Sequence, residues 1–80
     1  MRLDKFLKVS RLIKRRTVAN ETCDASRVLV NDKPAKASLA VKEGDIIEIK
    51  YGTGNQKVRV LTIKEHVRKE EAAAMYEELK

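Results

Sequence analysis

The first 16 residues concentrate the side chains that could do chemistry. They contain seven bases and one acid, Asp4, which gives this segment a net charge of +6, whereas residues 17–80 contain eleven bases and eleven acids that cancel. A cationic segment on an otherwise neutral chain is the usual electrostatic footprint of a protein that binds a polyanion. The seven cations are Arg2, Lys5, Lys8, Arg11, Lys14, Arg15 and Arg16.

Arginine predominates among these cations, and this favours phosphate as the ligand. A guanidinium engages two phosphate oxygens at once, whereas a lysine ammonium acts as a point charge. A solvated, solubilising face is the ordinary explanation of a basic run, but the unbalanced charge and the arginines favour phosphate binding here. Asp4 is expected either to cap the first helix or to pair with a neighbouring arginine, and such a pair would hold that arginine in its binding rotamer.

Few residues suit catalysis or metal binding. Cys23 falls on the apolar face of a predicted helix, where burial makes a thiol inert. One histidine, His66, and one cysteine far from it do not make a zinc site, and no glycine-rich phosphate loop is present. We therefore expect binding without catalysis, cofactor or metal. The chain has three aromatic residues, which favours structured RNA read by shape and backbone over a stacked single strand, although Tyr51 could stack on a base.

Length and composition predict one domain in a reducing compartment. Eighty residues bury only about 60% of their unfolded surface, which argues against a deep catalytic cavity. The single cysteine allows no internal disulfide, and no apolar run is long enough to span a bilayer. We expect a single domain over residues 1–80, with a core RNA-binding motif over residues 1–50 and a hairpin strand and helix over residues 51–80.

Two short helices are predicted to carry the charge. Apolar or small residues at helical spacing predict a first helix over about residues 3–10 and a second over about residues 15–25. Arg15 and Arg16 then fall in the first turn of the second helix, where the helix dipole disfavours cations. Because nothing in the local sequence compensates, this placement indicates a functional site, in which the helix N-terminus and its arginines both present donors to phosphate.

The rest of the chain predicts a small sheet and a last helix. Apolar alternation predicts strands near residues 28–30, 47–51 and 57–64, with a tight turn at Asn31-Asp32. The segment RKEEAAAMYEELK, residues 68–80, has the spacing of a C-terminal helix. The predicted fold class is α+β, with two N-terminal helices packed on a small antiparallel sheet and a C-terminal helix.

The segment RLDKFLKVSRLIKRRTVANETCDASRVLVNDKPAK, residues 2–36, resembles the RNA-binding domain first seen in ribosomal protein S-four. That αL-type domain pairs two helices with a following V-x-V-N-G hairpin, and the resemblance extends over about residues 1–50. Ser26 and Asp32 depart from it, because each stands where glycine is usual, and positive φ is expected at both. The matching residues are Leu3, Asp4, Arg16, Ala19 and residues 28–31.

The opening MRLDKFLKVSRLIKRR, with VKEGD and KEEAAAMYEELK, resembles the RqcP family, small relatives of the fifteen-kilodalton heat-shock ribosome-binding protein. The lack of a long basic C-terminal extension favours this branch. The resemblance implies a cytoplasmic, non-enzymatic factor that is monomeric off the ribosome. Its implied partners are the large ribosomal subunit with its rRNA, peptidyl-tRNA, and RqcH, which it helps to add alanine tails to stalled chains. Carried over by position, the RNA-binding residues are Arg2, Asp4, Lys5, Arg11, Lys14, Arg15, Arg16 and Thr17.

Three other functions fit parts of the pattern. A general rRNA-binding factor for ribosome assembly or recycling would need the same cations but no preference for peptidyl-tRNA. A fragment of an RNA-modifying enzyme would need a catalytic domain of far more than 80 residues. A binder of anionic membrane surfaces would use the first helix, whose short apolar face is needed for the core.

Overall fold

Two helices pack on one face of a five-stranded antiparallel sheet in the computed structural model, which describes residues 1–79. The sheet order is β2-β1-β3-β4-β5, and every neighbouring pair is antiparallel. None of the helices described is long and apolar enough to cross a membrane. In chain order the elements are α1 (Leu3–Val9), α2 (Arg16–Asp24), β1 (Val28–Val30), β2 (Lys33–Pro34), β3 (Ile46–Tyr51), β4 (Gly54–Val60), α3 (Lys69–Ala72), a 3-10 turn (Ala73–Met75) and β5 (Tyr76–Leu79).

The core lies between the sheet and the first two helices. In β3 and β4, Ile47 pairs with Val58, and both side chains are fully buried. From the helices, α1 contributes Leu3, Phe6 and Leu7, and α2 contributes Ala19 and Cys23. The predicted α+β fold with two N-terminal helices is therefore confirmed, and α1 and α2 begin and end within one residue of their predicted limits. Cys23 is in the core, as its helical spacing predicts.

Left-handed backbone occurs at both positions where glycine is usual. Asn31 and Asp32 have φ of 53° and 69° and form the two-residue turn between β1 and β2, which is the pattern of a type I′ hairpin. Ser26 has φ of 60° and follows the C-cap of α2. The Ser26 N–H donates to the Cys23 carbonyl and the Arg27 N–H to the Thr22 carbonyl, which is the Schellman pattern. Positive φ at Ser26 and Asp32 is thus confirmed.

The C-terminal helix is much shorter than its spacing predicts. It covers one turn, α3, and continues as a 3-10 turn, after which residues 76–79 form β5 against β4. The prediction was right for Ala72 and Met75, which are buried at helical spacing, and wrong for Tyr76 and Leu79, which pair with Val60 and Lys57. The edge of β4 would otherwise be open, and backbone pairing with it outweighs local helix propensity. Lys80, the last residue of the predicted helix, lies outside the described residues.

A backbone clamp fixes the N-terminus of α1. The Leu3 N–H donates to the Leu39 carbonyl at 2.8 Å, and the Asp4 N–H donates to the Ala37 carbonyl at 3.1 Å. These bonds satisfy two of the amide groups that a helix N-terminus leaves without a partner. Because this loop precedes β3, the sheet and the start of α1 are held together, and residues 2–4 have a defined position.

Replacing Ser26 by glycine is expected to stabilise the fold. A left-handed residue with a side chain costs about 1–2 kcal/mol, whereas the added freedom of glycine in the unfolded chain costs about 0.4–1 kcal/mol. Urea unfolding should therefore show Ser26→Gly to be more stable by about 0.5–1 kcal/mol. Ser38→Gly is the control, since Ser38 has no positive φ and should lose stability. A loss of stability in Ser26→Gly would show that the left-handed cap is not strained.

Candidate nucleic-acid interface

The Asp4 carboxylate lies at the buried centre of the predicted site. Asp4 is in the first turn of α1, and its side chain is 4% exposed. Its Oδ1 accepts the Lys5 N–H at 2.8 Å, so that the carboxylate stabilises the helix N-terminus. A buried charge is costly unless it is paired and hydrogen-bonded. The remaining lone pairs of Asp4 therefore need donors.

Two arginines and an amide supply those donors. Arg2 donates from Nε at 3.2 Å and from Nη2 at 3.3 Å, one bond to each carboxylate oxygen. Arg16, at the start of α2, donates from Nη2 to Oδ1 at 3.4 Å, and its Nε lies 3.4 Å from Oδ2. Asn20, one turn further along α2, donates to Oδ2 at 3.4 Å. We call Arg2, Asp4, Arg16 and Asn20 the Asp4 cluster.

Both guanidiniums of the cluster remain available to a ligand. The Arg2 side chain is 52% exposed and the Arg16 side chain 46% exposed, although each contacts the buried carboxylate. One carboxylate between two guanidiniums leaves a net charge of +1 and donors directed to solvent. A pair of arginines already held in place loses less side-chain entropy when it binds an anion. The arrangement therefore suits recognition of phosphate oxygens.

The start of α2 adds further donors beside the cluster. Arg16 is the first helical residue, as predicted, whereas Arg15 precedes the first turn as the N-cap residue, and no side chain within residues 1–79 caps this terminus. No acid lies in the first turn, so the positive end of the helix dipole is not neutralised locally. Thr17 and Glu21 border the same shallow depression as Asp4 and Arg16. The predicted residues Arg2, Asp4, Arg15, Arg16 and Thr17 are therefore brought together.

Within residues 1–79, the side chains of the other predicted cations, Lys5, Arg11 and Lys14, form no ion pair with Asp4. Lys5 is partly buried, and its Nζ is 2.5 Å from Oε2 of Glu65. Arg11 and Lys14 line a separate cleft of about 600 Å³ between residues 8–14 and residues 65–69. We call it the connector cleft, after the connector from α1 to α2; its cationic and imidazole side chains are Lys8, Arg11, Lys14, His66 and Lys69.

Comparison with known proteins places this geometry in a family. The sequence pattern of the S4 domain matches residues 1–47. A protein named RQC P-site tRNA stabilizing factor from Halalkalibacterium halodurans is 57% identical over 77 residues, which cover 96% of this chain and 88% of the relative. The chain belongs to the RQC P-site tRNA stabilizing factor family. This confirms the resemblance to the S-four type domain and to the RqcP family.

Two further members of the comparison extend the relationship. The RQC P-site tRNA stabilizing factor of Bacillus subtilis is 54% identical over 80 residues, which cover all of this chain and 93% of the relative. A trimeric structure of Vibrio cholerae Heat Shock Protein 15 superposes with a TM-score of 0.91 at 30% identity, over 99% of this chain and 81% of that one. The stabilizing-factor fold is therefore shared with the heat-shock protein, as the resemblance to the RqcP family implied.

Some residues of the stabilizing-factor site were not predicted from sequence. Asn20 is not among the residues predicted to bind RNA, but it donates to Asp4; its spacing of four from Arg16 could have indicated the shared face. Glu65, His66 and Lys69 reach the N-terminal cations through tertiary structure. They lie more than 50 positions from Lys8 in sequence, and no local sequence pattern predicts contacts over such a separation.

The electrostatics of two titratable groups follow from their surroundings. Burial acts to raise the pKa of Asp4, but hydrogen bonds from Asn20, Arg16 and Arg2 outweigh it, so the pKa lies below its usual value. Burial, with the nearby Asp4 and Asp24 charges, raises the pKa of the Cys23 thiol to about 11, which keeps it protonated and unreactive. Residues 1–79 contain no group of three or more metal-ligating side chains of the His, Cys, Asp and Glu types.

Acid is expected to destabilise this fold through Asp4. Because its pKa is lower in the folded than in the unfolded chain, the unfolded state binds more protons in acid. The contribution of Asp4 is therefore complete above about pH 4, the ordinary aspartate value, and is lost as the pH falls through the lower folded-state pKa. Between pH 7 and pH 2, the free energy of unfolding in urea should fall more steeply for the native chain than for Asp4→Asn.

Asp24→Asn is the control for this pH dependence. Asp24 is an exposed acid whose side chain makes no hydrogen bond within residues 1–79, so its variant should keep the steep fall of the native chain. Superimposable pH profiles for Asp4→Asn and the native chain would contradict the stabilising role of the ionised Asp4 carboxylate.

Proposed function

We propose that this chain is a non-catalytic RNA-binding factor of bacterial ribosome-associated quality control. It binds stalled large ribosomal subunits that carry peptidyl-tRNA, contacts both rRNA and tRNA, and supports RqcH-dependent alanine tailing of the nascent chain. It acts in the cytoplasm and is monomeric off the ribosome. It uses no cofactor and no metal.

The Asp4 cluster is the observation that carries this proposal. Two half-exposed guanidiniums are held by one buried carboxylate beside an uncapped helix start, and each of these features favours phosphate. Arg2, Arg16 and Arg15 therefore form the proposed RNA contact, with Thr17 at its border. Lys5, Arg11 and Lys14 remain predicted RNA-binding residues, but they lie outside the Asp4 cluster.

The relatives support the biological setting. The matched stabilizing factors are named for ribosome quality control and for P-site tRNA, and the chain aligns with about nine-tenths of their length. A shared name and a shared S4 domain support a role in ribosome quality control. RqcH as partner, alanine tailing and the large subunit as binding site are the finer parts of our proposal.

A binding role also explains how so small a protein could assist elongation. By contacting rRNA and tRNA at once, it would hold the peptidyl-tRNA in position on a subunit that lacks its usual small-subunit support. Two weak contacts on one rigid protein raise the effective concentration of each for the other. Each contact can then be weak enough for the factor to dissociate and rebind as residues are added.

Preference for occupied subunits is the expected result that tests this function. Purified chain should co-sediment more strongly with large subunits that carry peptidyl-tRNA than with empty ones, because only the former offer both RNAs. In a reconstituted reaction with RqcH, adding the chain should lengthen alanine tails. Equal binding to both kinds of subunit would instead favour the general rRNA-binding factor for assembly or recycling.

Arg16→Ala is the matched loss-of-binding variant in this experiment. It should weaken subunit binding by about 1–3 kcal/mol, the range for hydrogen bonds to charged groups. Arg2 and Asn20 still satisfy Asp4 in this variant, so its helical circular dichroism should be retained. Unchanged sedimentation with either kind of subunit would show that the Asp4 cluster is not the RNA contact.

A further inference from the structure

The connector cleft is a second cationic surface that the Asp4 cluster does not explain. It lies at the C-terminal end of α1, whereas Arg2 and Asp4 lie at the N-terminal end. Seven helical residues at 1.5 Å each separate the two ends by about 10 Å. Its walls come from residues 8–14 and from residues 65–69, and the latter lie beyond the matched S4 domain.

The charges of the cleft are unbalanced. Lys8, Arg11, Lys14 and Lys69 line it, and within residues 1–79 none of these four forms an ion pair. The acid in the lining, Glu65, is already paired with Lys5. Four like charges facing one concavity repel one another and focus a positive potential there. Such a cleft is complementary to an anion with several charges.

The left-handed backbone conformation of Arg11 supports a function for its side chain. Arg11 has φ of 64° and follows the C-cap of α1, and its N–H donates to the Lys8 carbonyl at 3.1 Å. Glycine is the ordinary residue at this position of a helix end, because a side chain costs about 1–2 kcal/mol in left-handed backbone. Strained residues of this kind cluster at functional sites. The favourable interaction of a cation with the helix dipole offsets part of this cost at the C-terminus of α1. A lysine or arginine within the last helical turn would gain the same interaction without left-handed backbone, so the dipole does not explain the position of Arg11.

We propose that the connector cleft binds backbone phosphates of folded RNA at a second point, and that Lys69 and His66 complete it from outside the S4 domain. The inference rests on the proposed function and deepens it. It assigns one phosphate contact to each end of α1, which a single cationic patch would not provide. The lining includes no phenylalanine, tyrosine or tryptophan, and its apolar members are Val9 and Val67, so an open phosphate backbone fits better than a peptide that needs an apolar anchor.

Two substitutions test the cleft without touching the Asp4 cluster. Arg11→Gly removes the guanidinium and relieves the backbone strain, so its stability to urea should be equal or higher. Lys69→Ala removes a cation from the C-terminal wall. Each should lower affinity for large subunits carrying peptidyl-tRNA by about tenfold, and each should reduce the slope of log K against log salt by about 0.7–0.9, the value for one phosphate contact.

Lys57→Ala is the matched control, since Lys57 is an exposed lysine of β4 that lines neither site. It should keep native affinity. The cleft proposal is contradicted if Lys57→Ala loses as much affinity as Lys69→Ala, because total charge would then explain binding. It is also contradicted if Arg11→Gly and Lys69→Ala both bind as the native chain does.

Two further comparisons distinguish the cleft proposal from the proposed function and from binding of an acidic protein segment. If Arg16→Ala loses affinity while both cleft variants keep it, the proposed function stands and the cleft proposal fails; if all three keep it, the proposed function fails as well. In a competition experiment, the native chain is first bound to purified rRNA, and poly-glutamate is then added until its total negative charge equals that of the rRNA. Poly-glutamate should displace little of the bound chain. Efficient displacement that disappears in Lys69→Ala would assign the cleft to an acidic protein segment instead of RNA.

Discussion

The ionised carboxylate of Asp4 is the interaction on which the rest of this site depends. Isolated in the interior it would be unfavourable, but a backbone N–H, two arginines and an amide donate to it. These bonds join the start of α1 to the start of α2 across 12 residues of sequence. The same carboxylate thus contributes to the packing of two helices and orients the guanidiniums that face solvent.

The small sheet makes this arrangement rigid. A core shared by both helices and the inner face of β1, β3 and β4 holds the helices in place, and the loop over residues 37–41 fixes the first turn of α1. The clamp restricts the backbone of residues 2–4, so the Arg2 side chain extends from a fixed position. The guanidiniums of the Asp4 cluster are therefore held at fixed positions, which suits contacts of the kind that set a protein's register on a nucleic-acid backbone.

Sequence reasoning was strongest where the cause is local. The arginines at the start of α2 follow from helical spacing, and the left-handed backbone at Ser26 and Asp32 follows from the resemblance to the S-four type domain, which usually has glycine at both positions. It was weaker where the cause is tertiary. Pairing with β4 converts residues 76–79 to a strand despite their helical spacing, and Glu65 meets Lys5 across 60 positions. The connector cleft was missed for the same reason, because its second wall folds back from residues 65–69.

The central claim is that Asp4 orients the two guanidiniums that bind RNA. It can be tested with Asp4→Asn, because total charge and guanidinium orientation predict opposite changes in the affinity of this variant for polyanions. Asp4→Asn removes a negative charge, so a site governed by total charge should bind polyanions more tightly. A site governed by orientation should bind them less tightly, because Arg2 and Arg16 lose their anchor. Equilibrium binding of Asp4→Asn to large subunits carrying peptidyl-tRNA, measured at several salt concentrations, decides between the two. We predict weaker binding than that of the native chain at every salt concentration; tighter binding at low salt would contradict the account.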